Sequence, residues 1–197
     1  EAVRPFTERA DYIALNLNCP NTAGGVSPFD DAARLRTLMQ EYARIDHLPP
    51  VFLKFTAHTD VARMESVLEV VDPFAFVKGF VFNLPPGKSY ALQSPPALVD
   101  PMPGTLCGRP VGAMIDETIA AWYGRIDRRR HCIVGVGGVA SAEDAYRKML
   151  LGASLVQLYT ALVYRGPGLV RRINEGLVRL LERDGLRHVS EAVGVGG

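Results

Sequence analysis

The residues able to do chemistry are few, and their spacing sets each just after an apolar run. Asn16 stands at the end of the run Tyr12 to Leu17, Cys19 and Asn21 follow it, and Pro20 turns the chain out of any ladder there. Lys54 stands inside the apolar stretch Val51 to Phe55, and Asn83 closes Gly79 to Leu84. Gly137 and Gly138 end the run Ile133, Val134, Val136, and Tyr159 and Thr160 end Leu155 to Thr160. The set is one thiol, one cation and otherwise uncharged hydrogen-bonding groups. It suits a planar, amide-rich ligand with a phosphate tail. The glycines let backbone N–H groups approach a ligand that a Cβ would block. A cysteine beside proline in a polar loop is a candidate base. An ammonium on a buried strand needs an anionic or polar partner, because an unpaired one there is very costly. Few carboxylates stand at these strand ends, so a ligand is the expected partner.

The elements that must position these residues repeat as strand then helix. Strands are expected at Tyr12 to Leu17, Val51 to Phe55, Gly79 to Leu84, Ile133 to Val136 and Leu155 to Thr160. Short apolar β-branched runs of this kind suit parallel strands buried on both faces. Helices are expected over Asp30 to Ile45, Asp60 to Val70, Val111 to Tyr123, the segment opening at Ser141, and Leu169 to Arg183. Ser141 is the expected N-cap, with Asp144 in a capping-box position and Gly152 as the stop. Lys88 to Arg109 is a long proline-rich connection, the kind of loop that carries function.

Alternating strands and helices call for a parallel sheet with right-handed crossovers. Glycine- and threonine-bearing loops after the last two strands form a phosphate cradle in a (β/α) barrel. The rival, an open doubly wound sheet, carries a GxGxxG fingerprint after its first strand, and none stands here. The expected fold class is therefore α/β, a (β/α)8 TIM barrel. Five strand signals fall short of the eight strands and typical length of about 250 residues of a complete barrel.

Composition bounds the class. The chain has 197 residues, 48% hydrophobic and 22% charged, which makes a globular domain with a sizeable core. A net charge of +1 suggests no polyanionic partner such as nucleic acid. Three cysteines without metal-like spacing point to a reducing, cytoplasmic compartment and to no metal site. No apolar run is long enough to span a bilayer. The first residue is Glu1, which reads as a chain whose natural start lies upstream.

NLNCPNT (Asn16 to Thr22), the strand Lys54, IVGVGGVAS (Ile133 to Ser141), GASLVQLYTALVYRGPG (Gly152 to Gly168) and HVSEAVG (His188 to Gly194) together resemble dihydroorotate dehydrogenase. The resemblance covers nearly the whole chain. It implies an FMN-binding barrel that oxidises dihydroorotate to orotate in pyrimidine biosynthesis. It also implies that residues 1–197 form the C-terminal portion of one barrel domain, roughly strands 4 to 8, with the remaining strands supplied by upstream sequence or another chain. By position it implies Cys19 as the catalytic base. It places Asn16, Lys54, Phe82, Gly108, Gly137, Gly138, Tyr159 and Thr160 on FMN, and Asn16, Asn21 and Asn83 on the substrate. The C-terminal half resembles the quinone-using class, which implies a quinone acceptor and a peripheral position at the inner membrane. Cys at the base position is instead typical of the soluble classes. Phe82-Asn83-Leu84 stands where the family carries Thr-Asn-Thr, so both hydroxyls are gone. That departure motivates an alternative, a non-catalytic or altered-substrate flavin-binding member or partner subunit. A tRNA dihydrouridine synthase also pairs Cys with Pro in its active loop, but the near-neutral charge argues against the basic RNA-binding face it would need.

Overall fold

The computed structural model describes residues 3–18, 29, 31–84 and 92–196. Five strands, β1 (Ile13–Asn16), β2 (Val51–Thr56), β3 (Val77–Asn83), β4 (Cys132–Val136) and β5 (Ala153–Gln157), make one sheet in sequence order. All four pairings are parallel, so every strand delivers its C-terminus to the same edge. The crossovers are helical: α1 (Ala32–Tyr42), α2 (Val61–Val71), α3 (Pro96–Val99), α4 (Gly112–Tyr123) and α5 (Ala142–Leu150). After β5 come α6 (Thr160–Arg165) and α7 (Gly168–Arg183). Local chemistry sets the helix starts. Asp31 accepts from the N–H groups of Ala33 and Arg34, and Asp60 from that of Arg63.

Register separates the two faces of the sheet. Leu15, Leu53, Phe80 and Ile133 form one row against the helices, and Phe55 pairs with Phe82 in the next. Trp122 of α4, fully buried, closes this layer with its ring 5.0 Å from Phe80, 5.2 Å from Phe82 and 6.3 Å from Phe55. Asn16, Lys54, Val81, Val134 and Leu155 form a row on the opposite, inner face. A second apolar cluster joins α5 to α7 through Ala145, Tyr146, Met149, Leu169, Ile173 and Leu177. The C-terminal segment docks on α4, where Tyr123 donates to the Val193 carbonyl at 3.2 Å.

Several expectations are corrected. The last strand runs from Ala153 to Gln157, two residues earlier at its start, and Tyr159 and Thr160 open α6 instead of ending the strand. Pairing with β4 stops at Val136–Gln157, where Gly137 and Gly138 leave the ladder, and the Tyr159 carbonyl then accepts from Leu162 and Val163 in a helical turn. β5 is also not buried on both faces. It is an edge strand of the described sheet, and its inner-face Leu155 is 58% exposed. Ser141 caps α5 as expected by accepting from Asp144 N–H, but the Asp144 carboxylate bonds the N–H of Ala140, one residue beyond a capping box. The long connection before α4 carries the short helix α3.

Candidate functional site

Three loops that are distant in sequence meet at the C-terminal edge of the sheet. They follow β3, β4 and β5. Together with Lys54 they line a cavity of about 510 Å3. Gly108 is the joint between the first and third loops. It sits at φ +83, ψ −145, a conformation that only glycine takes without strain, and a Cβ there would lie 3.0 Å from the Thr160 methyl. Beside it the Thr160 hydroxyl donates to Cys107 Sγ at 3.2 Å. Gly138 is the joint between the second loop and α4. At φ +77 its Cβ would lie 2.7 Å from Gly112 Cα, so two glycine backbones touch where α4 begins. Gly137, at φ +97, lies over Ile115 and Val111.

The backbone N–H groups of Gly138, Val139, Thr160 and Ala161 make no hydrogen bond to another described residue, although they sit at the mouth of the cavity. Arg165 reaches back across the second loop and donates to the Ala140 carbonyl at 2.9 Å. The cations Lys54, Arg109 and Arg165 line the space, and no carboxylate is among its described lining residues. Lys54 is half-buried and makes no ion pair with a described carboxylate. Free N–H donors on glycine loops with nearby cations bind a phosphoryl group. The apolar lining, with Leu84, Val136, Val139 and Leu158, leaves room for a flat ring system.

The structure therefore brings together Lys54, Phe82, Gly108, Gly137, Gly138, Tyr159 and Thr160 around one cavity. Phe82 borders it, but its ring lies in the helix layer against Trp122. Tyr159 lines the cavity although it is 77% exposed. Asn16 stands beside Lys54 in register, on the exposed edge strand, and is not among the residues lining the cavity. Cys19 and Asn21 lie outside the described residues, as does the Asn83 side chain. Sequence reasoning missed Cys107, Arg109, Gly112 and Arg165. Arg109 carried a signal, a cation directly after the glycine of the CGRP segment.

The family model described as dihydroorotate dehydrogenase matches residues 1–181. A Deinococcus radiodurans protein named dihydroorotate dehydrogenase (quinone) is 41% identical over 204 residues, covering 100% of this chain and 54% of that protein. A Roseiflexus protein of the same name is 36% identical over 190 residues, covering 94% of this chain and 51% of its own length. The chain thus spans about half the length of the curated relatives it matches. A crystal structure of DHODH from Eimeria tenella in complex with ferulenol superimposes with a TM-score of 0.79 at 25% identity, covering 98% of this chain and 56% of that one. The five-stranded parallel sheet is accordingly part of a (β/α) barrel.

Proposed function

The chain belongs to the dihydroorotate dehydrogenase family, and from that premise we propose that residues 1–197 are the C-terminal portion of one FMN-binding barrel domain that oxidises dihydroorotate to orotate in pyrimidine biosynthesis. The observation that supports this reading most is the meeting of three loops, with unbonded N–H donors and no carboxylate, on one cavity beside Lys54. The residues fit FMN. Gly137, Gly138, Tyr159 and Thr160 offer a cradle for a single terminal phosphate, and no G-x-G-x-x-G stands after the first strand, where a dinucleotide fold carries it. Bound FMN would supply a hydride acceptor. The chain's own residues bind, orient and move the proton. Lys54 holds a cation beside the ring-sized space, where negative charge is stabilised. Asn16, Asn21 and Asn83 present amides to the substrate. Cys19, three residues after β1 in sequence, takes the proton from C5 of dihydroorotate as its thiolate.

We extend to this chain the acceptor in its relatives' names, a quinone. A peripheral position at a membrane follows from that acceptor; no helix among the described residues is long and apolar enough to cross one. Leu84 favours a second reading. It lines the cavity where the family carries a threonine, and an apolar side chain there fits an altered substrate or a flavin-binding member without turnover. Two measurements test the assignment. Cofactor released by denaturation should have the mass of FMN, and FAD or a nicotinamide dinucleotide would overturn that part. Anaerobic dihydroorotate should bleach the flavin, and Cys19→Ala should stay yellow and unreduced. Bleaching of the alanine variant at the parent rate would move the base elsewhere. A parent protein that binds FMN but is never bleached would select the second reading.

A further inference from the structure

A second cavity, of about 400 Å3, lies on the helical side between α7 and the start of α5 and shares only Ala140 and Arg165 with the first. Four guanidinium groups line it, those of Arg165, Arg172, Arg179 and Arg183, with Ser141 and Glu143 facing them from α5. Their arrangement follows from helical spacing. Gly176 is where α5 crosses α7, so closely that a Cβ there would overlap that of Ala142. Arg172 and Arg179 stand one turn to either side of Gly176, and Arg183 one turn further, so the basic stripe brackets the crossing.

Only one of the four charges is paired with a carboxylate among the described residues. Arg183 holds Asp184 through two bonds of 2.7 and 3.0 Å. Among the described residues, Arg165 and Arg172 donate only to carbonyls, those of Ala140 and Arg165. Arg179 makes no hydrogen bond or ion pair with a described residue. Of the two carboxylates of α7, Glu175 pairs with Arg171 at 2.7 Å and Glu182 makes no ion pair with a described residue. Glu143 is the one carboxylate in the lining. Its pKa is lowered first by its own backbone N–H and then by the Ser141 hydroxyl, with a smaller lowering from the charge of Arg179, against burial and the charge of Asp144, which raise it. An anion is thus already favoured at this spot, and the one that sits there belongs to an exposed, flexible side chain that can swing away.

We propose that this groove binds a phosphoryl anion carrying at least two charges, a polyphosphate or a phosphate ester, with Arg172 and Arg179 as its clamp and Glu143 as the side chain it displaces. Each guanidinium can bond two phosphate oxygens in a two-point fork, and two of them match a dianion. The space exceeds one phosphate and accommodates two linked ones. A free phosphate compound and a phospholipid headgroup share this chemistry, and the test separates them.

The test uses the flavin-loaded protein, so that the cradle is filled, and leaves Arg165 unchanged because it touches both cavities. Pyrophosphate is titrated by calorimetry against sodium chloride of equal ionic strength. We expect saturable binding that Arg179→Ala weakens by about tenfold or more and that Glu143→Gln strengthens by about threefold or more. Arg171→Ala, on the other face, should leave the affinity unchanged. All three side chains are exposed, so the variants fold. Vesicles of phosphatidylcholine with and without phosphatidic acid are then sedimented with the protein. Arg179-dependent sedimentation that pyrophosphate reverses identifies a lipid headgroup. Pyrophosphate binding without sedimentation identifies a free phosphate compound. No binding above the chloride control, equal affinity in Arg179→Ala, or weaker affinity in Glu143→Gln would each overturn the proposal.

Discussion

Lys148 is fully buried in an ion pair, and replacing it with methionine should destabilise the protein in a way the geometry quantifies. Its Nζ lies 2.5 Å from Asp116 Oδ1, and Arg147 Nε lies 2.7 Å from the other carboxylate oxygen. The lysine stem runs over Gly135 of β4, where a Cβ would come within 3.1 Å of Lys148 Cδ. The pair therefore ties α4 to α5 across β4, directly beneath the loop that holds Gly137 and Gly138. Burial pushes the Lys148 pKa down, and the bond to Asp116 opposes that shift. Lys148→Met keeps most of the stem volume and removes the charge. Breaking a buried pair typically costs about 3–5 kcal/mol. Asp116 keeps Arg147 and is 12% exposed, so the cost should fall at or below the lower end, about 2–3 kcal/mol. Asp116→Leu strands the ammonium and should cost more, about 4 kcal/mol. The double variant leaves neither charge stranded, so its cost should fall well short of the sum of the two singles. Urea unfolding of all four proteins gives the coupling directly. A Lys148→Met variant within about 0.5 kcal/mol of the parent, which is the range of ordinary surface substitutions, would refute the claim that the charge holds α4 to α5.

Gly138→Ala should weaken flavin binding by about tenfold or more, since an alanine at φ +77 is strained by about 1–2 kcal/mol and its Cβ would press on Gly112 Cα at 2.7 Å; a flavin titration with unchanged affinity would show that the contact is slack. His131 is buried with neither ring nitrogen hydrogen-bonded, 3.8 Å from Asp72, and burial lowers its pKa despite that carboxylate. The unfolded chain then binds the proton more readily, so stability should be full above about pH 6.5 and fall as the pH drops below it. Urea midpoints across that range should show the slope, and His131→Leu should remove it. Cys19→Ser should move the rise of the flavin-reduction rate to higher pH, because a hydroxyl is a weaker acid than a thiol of reference pKa about 8.5; an unmoved profile would mean that another group sets it.

How much of this was legible beforehand depends on whether a residue's role is local. Gly137 and Gly138 end an apolar β-branched run, and their backbone freedom is a property of the two residues alone, so the cradle could be anticipated there. Lys54 was visible because a charge inside Val51 to Phe55 contradicts its neighbours. The end of β5 was not local. Leu-Val-Gln-Leu-Tyr-Thr reads as strand throughout, but a strand lasts only as long as its partner, and β4 stops at Val136. Tyr159 and Thr160 therefore passed to α6 through a decision made more than twenty residues upstream. Lys148 was hidden for a related reason. On the helix it reads as one more polar residue, and only the missing side chain at Gly135 and the carboxylate of Asp116 make room for it inside.

The same distinction explains the site as a whole. Parallel strands deliver their loops to one edge, so sequence order identifies which loops can carry chemistry, but it does not say which of them touch. The contacts that decide this are Gly108 on Thr160 and Gly138 on Gly112. Each joins a loop to an element at least twenty-five residues away, and each depends on a side chain that is absent. Neither glycine of the second pair needs to touch a ligand for its substitution to open the cradle. A Cβ at Gly112 would meet Gly138 Cα at 3.7 Å, ordinary contact, whereas a Cβ at Gly138 meets Gly112 at 2.7 Å. The joint is thus asymmetric: alanine should be accepted at the start of α4 and rejected in the loop, although both positions are glycine and both border the same contact.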